Sequence, residues 1–234
     1  MGNEPRPKSP RDLFIIDEAV RSEYFYIEPA DSCYYIWERM SRLWREGGRT
    51  DYSHYPVNGL ISNLQILTSV RKSQSNRAYW KDKAIHYAAQ ALGSLLRDSW
   101  RDASITYVPI PPSKMLSDPE YDPRLLETLG AVRPALHDIR QLVILDDEEY
   151  DSKKKGLRPA DRAYHYSVNE DLAYPEPETV VLFDDVLTTG CHFKAMELVL
   201  KRRFPAADVV GLFLARTVRP PEDSEDLFAS LLAE

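Results

Sequence analysis

Val180-Val181-Leu182-Phe183-Asp184-Asp185-Val186-Leu187-Thr188-Thr189-Gly190-Cys191-His192-Phe193 changes character twice. Thr179 to Phe183 is a β-branched and apolar run without polar alternation, as a parallel strand buried on both faces requires. Asp184 to Gly190 reads as a short loop. Phe193 to Phe204 reads as a helix, with Phe193, Met196, Leu200 and Phe204 on one stripe. Lys201, Arg202 and Arg203 suit the negative C-terminal end of that helix, and Pro205 stops it. A loop between a parallel strand and a helix N-terminus is an anion site, because free N–H groups and the helix dipole converge there. Thr188, Thr189 and Gly190 are small enough for a phosphate to approach the backbone. Paired carboxylates repel phosphate but accept hydrogen bonds from two vicinal hydroxyls. A diol site followed by a phosphate site describes a ribose 5-phosphate.

The chain contains its own control. Leu142-Val143-Ile144-Leu145-Asp146-Asp147 is also an apolar run ending in two aspartates, but it continues into Glu148-Glu149-Tyr150-Asp151. Specificity therefore comes from Thr188-Thr189-Gly190. A Walker-type nucleotide site is not indicated, since no G-x-x-x-x-G-K-[ST] occurs. The stretch resembles the phosphoribosyl pyrophosphate (PRPP) motif of type I phosphoribosyltransferases: hydrophobic residues, two acids, then a Thr/Gly-rich loop opening a helix. It departs at His192, where that family usually has a threonine on the 5-phosphate, and Cys191 stands where Ala or Gly is common.

The resemblance implies a type I phosphoribosyltransferase-like fold, α/β with a mainly parallel sheet flanked by helices. It implies Asp184 and Asp185 on the ribose, and Val186 to His192 around the 5-phosphate. It implies Mg²⁺ carried by PRPP rather than by a dedicated set of protein ligands, with Asp184 and Asp185 the candidates to touch it. The implied reaction is displacement of pyrophosphate from C1 of PRPP by a nitrogen nucleophile. Some members of the family bind PRPP or nucleotides without turnover. A silent regulatory module, and a bacterial accessory or defence protein working through a partner, therefore stay open beside a transferase.

Net charge is −7, divided between +2 over residues 1–104 and −9 over the rest. No broad basic face is implied, so nucleic acid is not indicated as a partner. No apolar run approaches the roughly 20 residues that span a membrane. Met1 to Pro10 reads as a disordered tail without the apolar core of a signal peptide. Cys33 and Cys191 are too few for a disulfide framework. A cytoplasmic protein is expected.

Residues 11–103 read as a helical extension or hood. Asp12–Glu28, Ser32–Trp44, Leu60–Val70 and Ala78–Arg97 are its expected helices, and 49–56 is a tyrosine-rich loop. Homodimerisation, or a protein partner held through 11–103, stays open. Residues 104–218 read as the α/β domain, with strands Ile105–Ile110, Leu142–Leu145, Val180–Phe183 and Asp208–Leu214, and a helix Pro123–Ala131. The turn Pro111-Pro112-Ser113-Lys114 resembles the family's pyrophosphate loop. In the charged segment 148–163, Lys153, Lys154, Lys155, Arg158 and Arg162 are candidates for a loop that closes on PRPP. Leu157, Arg162 and Asn169, with Phe213–Thr217, are loosely similar to the ComF-like branch, without its N-terminal cysteine zinc module. Residues 219–234 read as an acidic tail.

Overall fold

The computed structural model describes residues 12–40, 56–147, 150 and 156–218. The expected tails 1–10 and 219–234, most of the tyrosine-rich loop, and Lys153, Lys154 and Lys155 lie outside them. In chain order the elements are β1 (Phe14–Ile15), α1 (Glu18–Arg21), β2 (Ser32–Met40), α2 (Pro56–Leu64), α3 (Thr68–Ser73), α4 (Ser75–Leu95), β3 (Ile105–Pro109), α5 (Arg124–Ala131), β4 (Asp138–Ile139), β5 (Val143–Leu145), α6 (Pro159–Ala163), β6 (Tyr166–Val168), β7 (Thr179–Leu187), α7 (Cys191–Arg203) and β8 (Asp208–Val218).

Among the described residues, six strands form one sheet in the order β1-β2-β8-β7-β3-β4. All neighbours pair parallel except β1, which runs antiparallel to β2. The protein is thus α/β, with a mostly parallel sheet flanked by helices, and β7 is central. Both faces are covered. Val180, Leu182 and Phe213 pack with Phe193, Met196 and Leu200 of α7. Val181, Phe183 and Leu212 pack with the layer of α2, α4 and α5, through Leu64, Leu92 and Leu129. Successive strand residues point to opposite faces, so two apolar layers require an unbroken apolar run.

Several expectations are corrected. Ser32–Trp44 is not a helix: Ser32–Met40 is β2, aligned along β8 from Ser32↔Val210 to Met40↔Val218; residues 41–44 are not described. Cys33 to Trp37 is aromatic and β-branched, which suits a strand buried on both faces. Such a strand lacks alternation, and its apolar spacing also fits a helix face. Asp12–Glu28 is not a helix either. It holds β1 and the four-residue α1, whose start Asp17 caps by accepting from the N–H groups of Ala19 and Val20. Finally, Leu142–Leu145 does not join the main sheet. β4 takes the place beside β3, and β5 pairs antiparallel with β6. Asp147, at the end of that run, accepts from His165 at 2.7 Å.

The expected helix Leu60–Val70 is broken. α2 ends at Leu64, and Leu67 has extended backbone (φ −57°, ψ 148°) before α3. The break frees the Gln65 side chain to reach the end of β7. The fourth expected helix, strand Ile105–Ile110 and helix Pro123–Ala131 match α4, β3 and α5 within a few residues. The first hundred residues therefore supply two strands of the sheet as well as the helices α2 to α4. Among the described residues, no helix is long and apolar enough to cross a membrane.

Candidate functional site

From β3 the chain proceeds to β4 on one side of the sheet, whereas β7 leads to β8 on the other. Loops leaving the carboxyl ends of β3 and β7 therefore diverge, and a crevice opens between them. A cleft of about 1090 Å³ lies there, lined by Pro111–Lys114 on one wall and by Asp184, Asp185 and Thr188 on the other.

The strand pairing explains why the aspartates face this cleft. The ladder between β3 and β7 ends at Pro109↔Phe183, with one more bond from the Ile110 N–H to the Phe183 carbonyl. β7 continues along β8 to Leu187↔Arg216. Asp184 to Leu187, expected as loop, are thus strand paired along β8, and Asp184, Asp185 and Val186 line the cleft. The loop proper is Thr188 to Gly190.

Asp184 and Asp185 are nearly buried, 8% and 5% exposed. Asp185 Oδ2 accepts from Gln65 Nε2 at 2.9 Å, Arg124 Nε at 3.0 Å and Arg124 Nη2 at 2.9 Å. Burial opposes ionisation of Asp185, but the Arg124 guanidinium outweighs it with help from Gln65, and holds the carboxyl below the usual range. Asp184 Oδ1 accepts the Asp185 N–H at 2.8 Å. Burial, then the charge of Asp185, push the Asp184 carboxyl well above the usual range. The pair combines a firmly ionised acceptor with a neighbour that can hold a proton. That combination suits recognition of hydroxyls, each of which can donate and accept.

Below the pair, Gly190 caps α7 with φ 84° and no side-chain hydrogen bond. The Cys191 N–H reaches Thr189 Oγ1 at 3.3 Å, and the first turn of α7 beyond it has no side-chain cap. A recess of about 100 Å³ opens at this end, bounded by Thr188–His192, Asp184 and Arg162. It combines helix N–H groups, the positive dipole end and a guanidinium, the requirements of an anion site. His192 Nε2 is in contact with Arg162 Nη1, and the same guanidinium nitrogen donates to the Tyr150 hydroxyl. Cys191 is buried, its Sγ on the Leu157 carbonyl at 3.2 Å; burial raises its thiol pKa although Arg162 opposes this.

The glycine is required twice over. A side chain at φ 84° is strained, and a Cβ on Gly190 would lie 2.6 Å from Ile27 Cδ1 and 2.8 Å from Cγ1. The same segment holds the loop through the Tyr26 N–H on the Thr189 carbonyl at 3.0 Å. Gly190→Ala is expected to cost about 1–3 kcal/mol in urea unfolding. An unchanged midpoint would mean that Ile27 yields and the loop carries no strain.

Of the other sequence candidates, Val186 and Leu187 belong to the buried end of β7. Pro111 to Lys114 line the cleft, with Lys114 3.9 Å from Asp118. Arg158 is exposed at the start of α6. Arg162 is brought to the recess. Sequence reading missed Gln65, Asp122, Arg124 and the Tyr26–Ile27 clamp. None of them belongs to a motif, and each reaches the site only through the packing of another element. No protein-family profile and no curated protein matches the chain.

Proposed function

We propose that this chain has a type I phosphoribosyltransferase-like fold and binds PRPP or a nucleotide 5′-phosphate in the cleft between β3 and β7. The observation that carries the proposal is one of placement. A buried aspartate pair and the glycine-capped N-terminus of α7 stand side by side on one wall, and the Pro-Pro-Ser-Lys turn stands on the other. Asp184 and Asp185 would accept the ribose hydroxyls. The Thr188–His192 backbone and Arg162 would hold the 5-phosphate. Lys114 and the N–H groups of its turn would face the pyrophosphate.

With a nitrogen nucleophile the reaction is a substitution at C1. The C1–O bond to pyrophosphate breaks with its electron pair leaving on oxygen, the C1–N bond forms, and the nucleophile loses a proton. Catalysis is then mainly positioning and charge stabilisation. Carboxylate oxygens such as those of Asp184 and Asp185 suit Mg²⁺, a hard cation that is usually bound by one or two carboxylates together with substrate phosphates. Mg²⁺ would supply charge neutralisation on the leaving pyrophosphate. A second reading, binding without turnover, draws on the contact of His192 with Arg162. It places a bulky ring in the phosphate recess where the family usually has a small hydroxyl.

The test is calorimetric binding of PRPP with Mg²⁺, beside PRPP-dependent pyrophosphate release with adenine, guanine, hypoxanthine, uracil, orotate and nicotinamide. Release with any of these supports the transferase. Binding without release supports the second reading. Absence of PRPP and nucleotide binding at millimolar ligand defeats both.

A further inference from the structure

A ring of polar groups surrounds Asp185, and Gln65, Asp122 and Arg124 line the cleft with it. Lys81 of α4 is fully buried and does not line the cleft. Its Nζ donates to the Ile66 carbonyl at 2.6 Å and to Asp122 Oδ1 at 2.7 Å. Asp122 Oδ2 accepts from Arg124 Nη1 at 3.1 Å. Arg124 in turn donates to Asp185 Oδ2 through both Nε and Nη2. Gln65, the residue before Ile66, closes the ring on that same oxygen.

The arrangement is more than a tie between helices and sheet. A single contact would join the layers. Here three N–H donors converge on one oxygen of Asp185. A carboxylate whose Oδ2 is held by three donors has its rotation set, and Asp185 lines the cleft in that setting. Arg124 can hold that geometry only if its own plane is fixed, and the Asp122 contact at Nη1 does this. Asp122 is in turn held by Lys81. Removing a charge from such a chain releases every member beyond it.

We propose that Lys81, Asp122 and Arg124 form a positioning relay that directs the Asp185 carboxylate at a ligand hydroxyl. The relay makes the helical layer of α2, α4 and α5 part of the recognition of the ribose diol. Lys81 acts through Asp122 and Arg124 and touches no ligand. The ligand side of the proposal rests on the reading of the cleft as a ribose-phosphate site.

The test uses the full chain and its Lys81→Met and Arg124→Gln variants, with ribose 5-phosphate, 2-deoxyribose 5-phosphate and orthophosphate as probes. A charged hydrogen bond contributes roughly 1.5–3 kcal/mol, so the wild type should prefer ribose 5-phosphate over the 2-deoxy sugar by about tenfold or more. Both variants should bring that ratio near one, and Lys81→Met, at a residue outside the cleft, should leave orthophosphate affinity within about twofold. A merely structural role would lower all three affinities together or none, and either result in a folded variant overturns the proposal.

Hydrogen exchange of the Arg124 Nε–H, followed by NMR without ligand, gives an independent readout. Lys81→Met should speed it about tenfold or more, and unchanged exchange also overturns the relay. If the wild type binds none of the probes, the ribose-phosphate reading fails, while the exchange experiment still judges the relay. Should Lys81→Met not fold, Asp122→Asn, which keeps the shape and removes the charge, is measured in the same two ways.

Discussion

Replacing Asp122 by alanine should destabilise the protein by about 3–5 kcal/mol, the range for removing one partner of a buried ion pair. The cost arises at Lys81, whose side chain has no solvent exposure and whose ammonium would keep only the Ile66 carbonyl. Asp122 is itself only 12% exposed, so water screens the pair little. Burial already lowers the Lys81 pKa, against the opposing pull of Asp122. Without Asp122 the depression should deepen.

The pH dependence follows from that direction. A lysine whose folded pKa lies below its unfolded value binds fewer protons when folded, so stability rises with pH between the two values. The penalty of Asp122→Ala should therefore shrink as pH is raised toward the ordinary lysine range, in urea unfolding curves. The double variant Lys81→Met, Asp122→Leu should recover most of the loss, since apolar groups of similar volume often replace a buried pair without cost. A single-variant loss under about 1 kcal/mol, or a penalty that grows with pH, would show that Lys81 is not held as a charged group by Asp122.

Asp185→Asn should weaken PRPP or nucleotide binding by about ten- to a hundredfold, because a hydrogen bond to a charged acceptor contributes roughly 1.5–3 kcal/mol. The amide keeps the shape of the side chain but loses the charge that Arg124 faces. Its NH₂ cannot accept from Gln65 or the guanidinium, so one rotamer places two donors against each other and the other turns the NH₂ to the cleft. Either outcome removes an acceptor that the diol would use. Calorimetric titration with Mg²⁺ checks it, with unfolding curves to show that the variant is folded. Affinity within about twofold of wild type would mean that Asp185 does not meet the ligand and serves only Arg124.

The α/β class was legible because its signals are local. Thr179 to Phe183 is apolar without alternation, Gly190 and the residues after it open a helix, and Asp208 onward is β-branched again. The right-handed crossover then brings the strand from Asp208 beside the one from Thr179. The same locality misled at Ser32 to Met40. A strand sandwiched between two helical layers has no polar face, and nothing local separates it from a buried helix. Only its partner β8 selects the strand. Leu142 to Leu145 failed for a related reason. Its composition suits the main sheet, but the position beside β3 is filled by Asp138–Ile139.

Sequence alone located the aspartate pair, the Thr-Thr-Gly loop and the proline turn, since close backbone approach and helix entry impose residue types at short spacing. It could not assign different states to Asp184 and Asp185, which are chemically identical neighbours. Their difference comes from opposite strand faces: Asp185 meets Arg124 and Gln65, brought from 61 and 120 residues away, while Asp184 meets burial and its neighbour's charge. Nor could it show that Tyr26 and Ile27 clamp the Thr188–Gly190 loop, or that a lysine on α4 is tied to Asp122. Charges and contacts of this kind depend on distance through space, and in this chain the tertiary packing of α2, α4, α5 and the N-terminal segment on one sheet sets those distances.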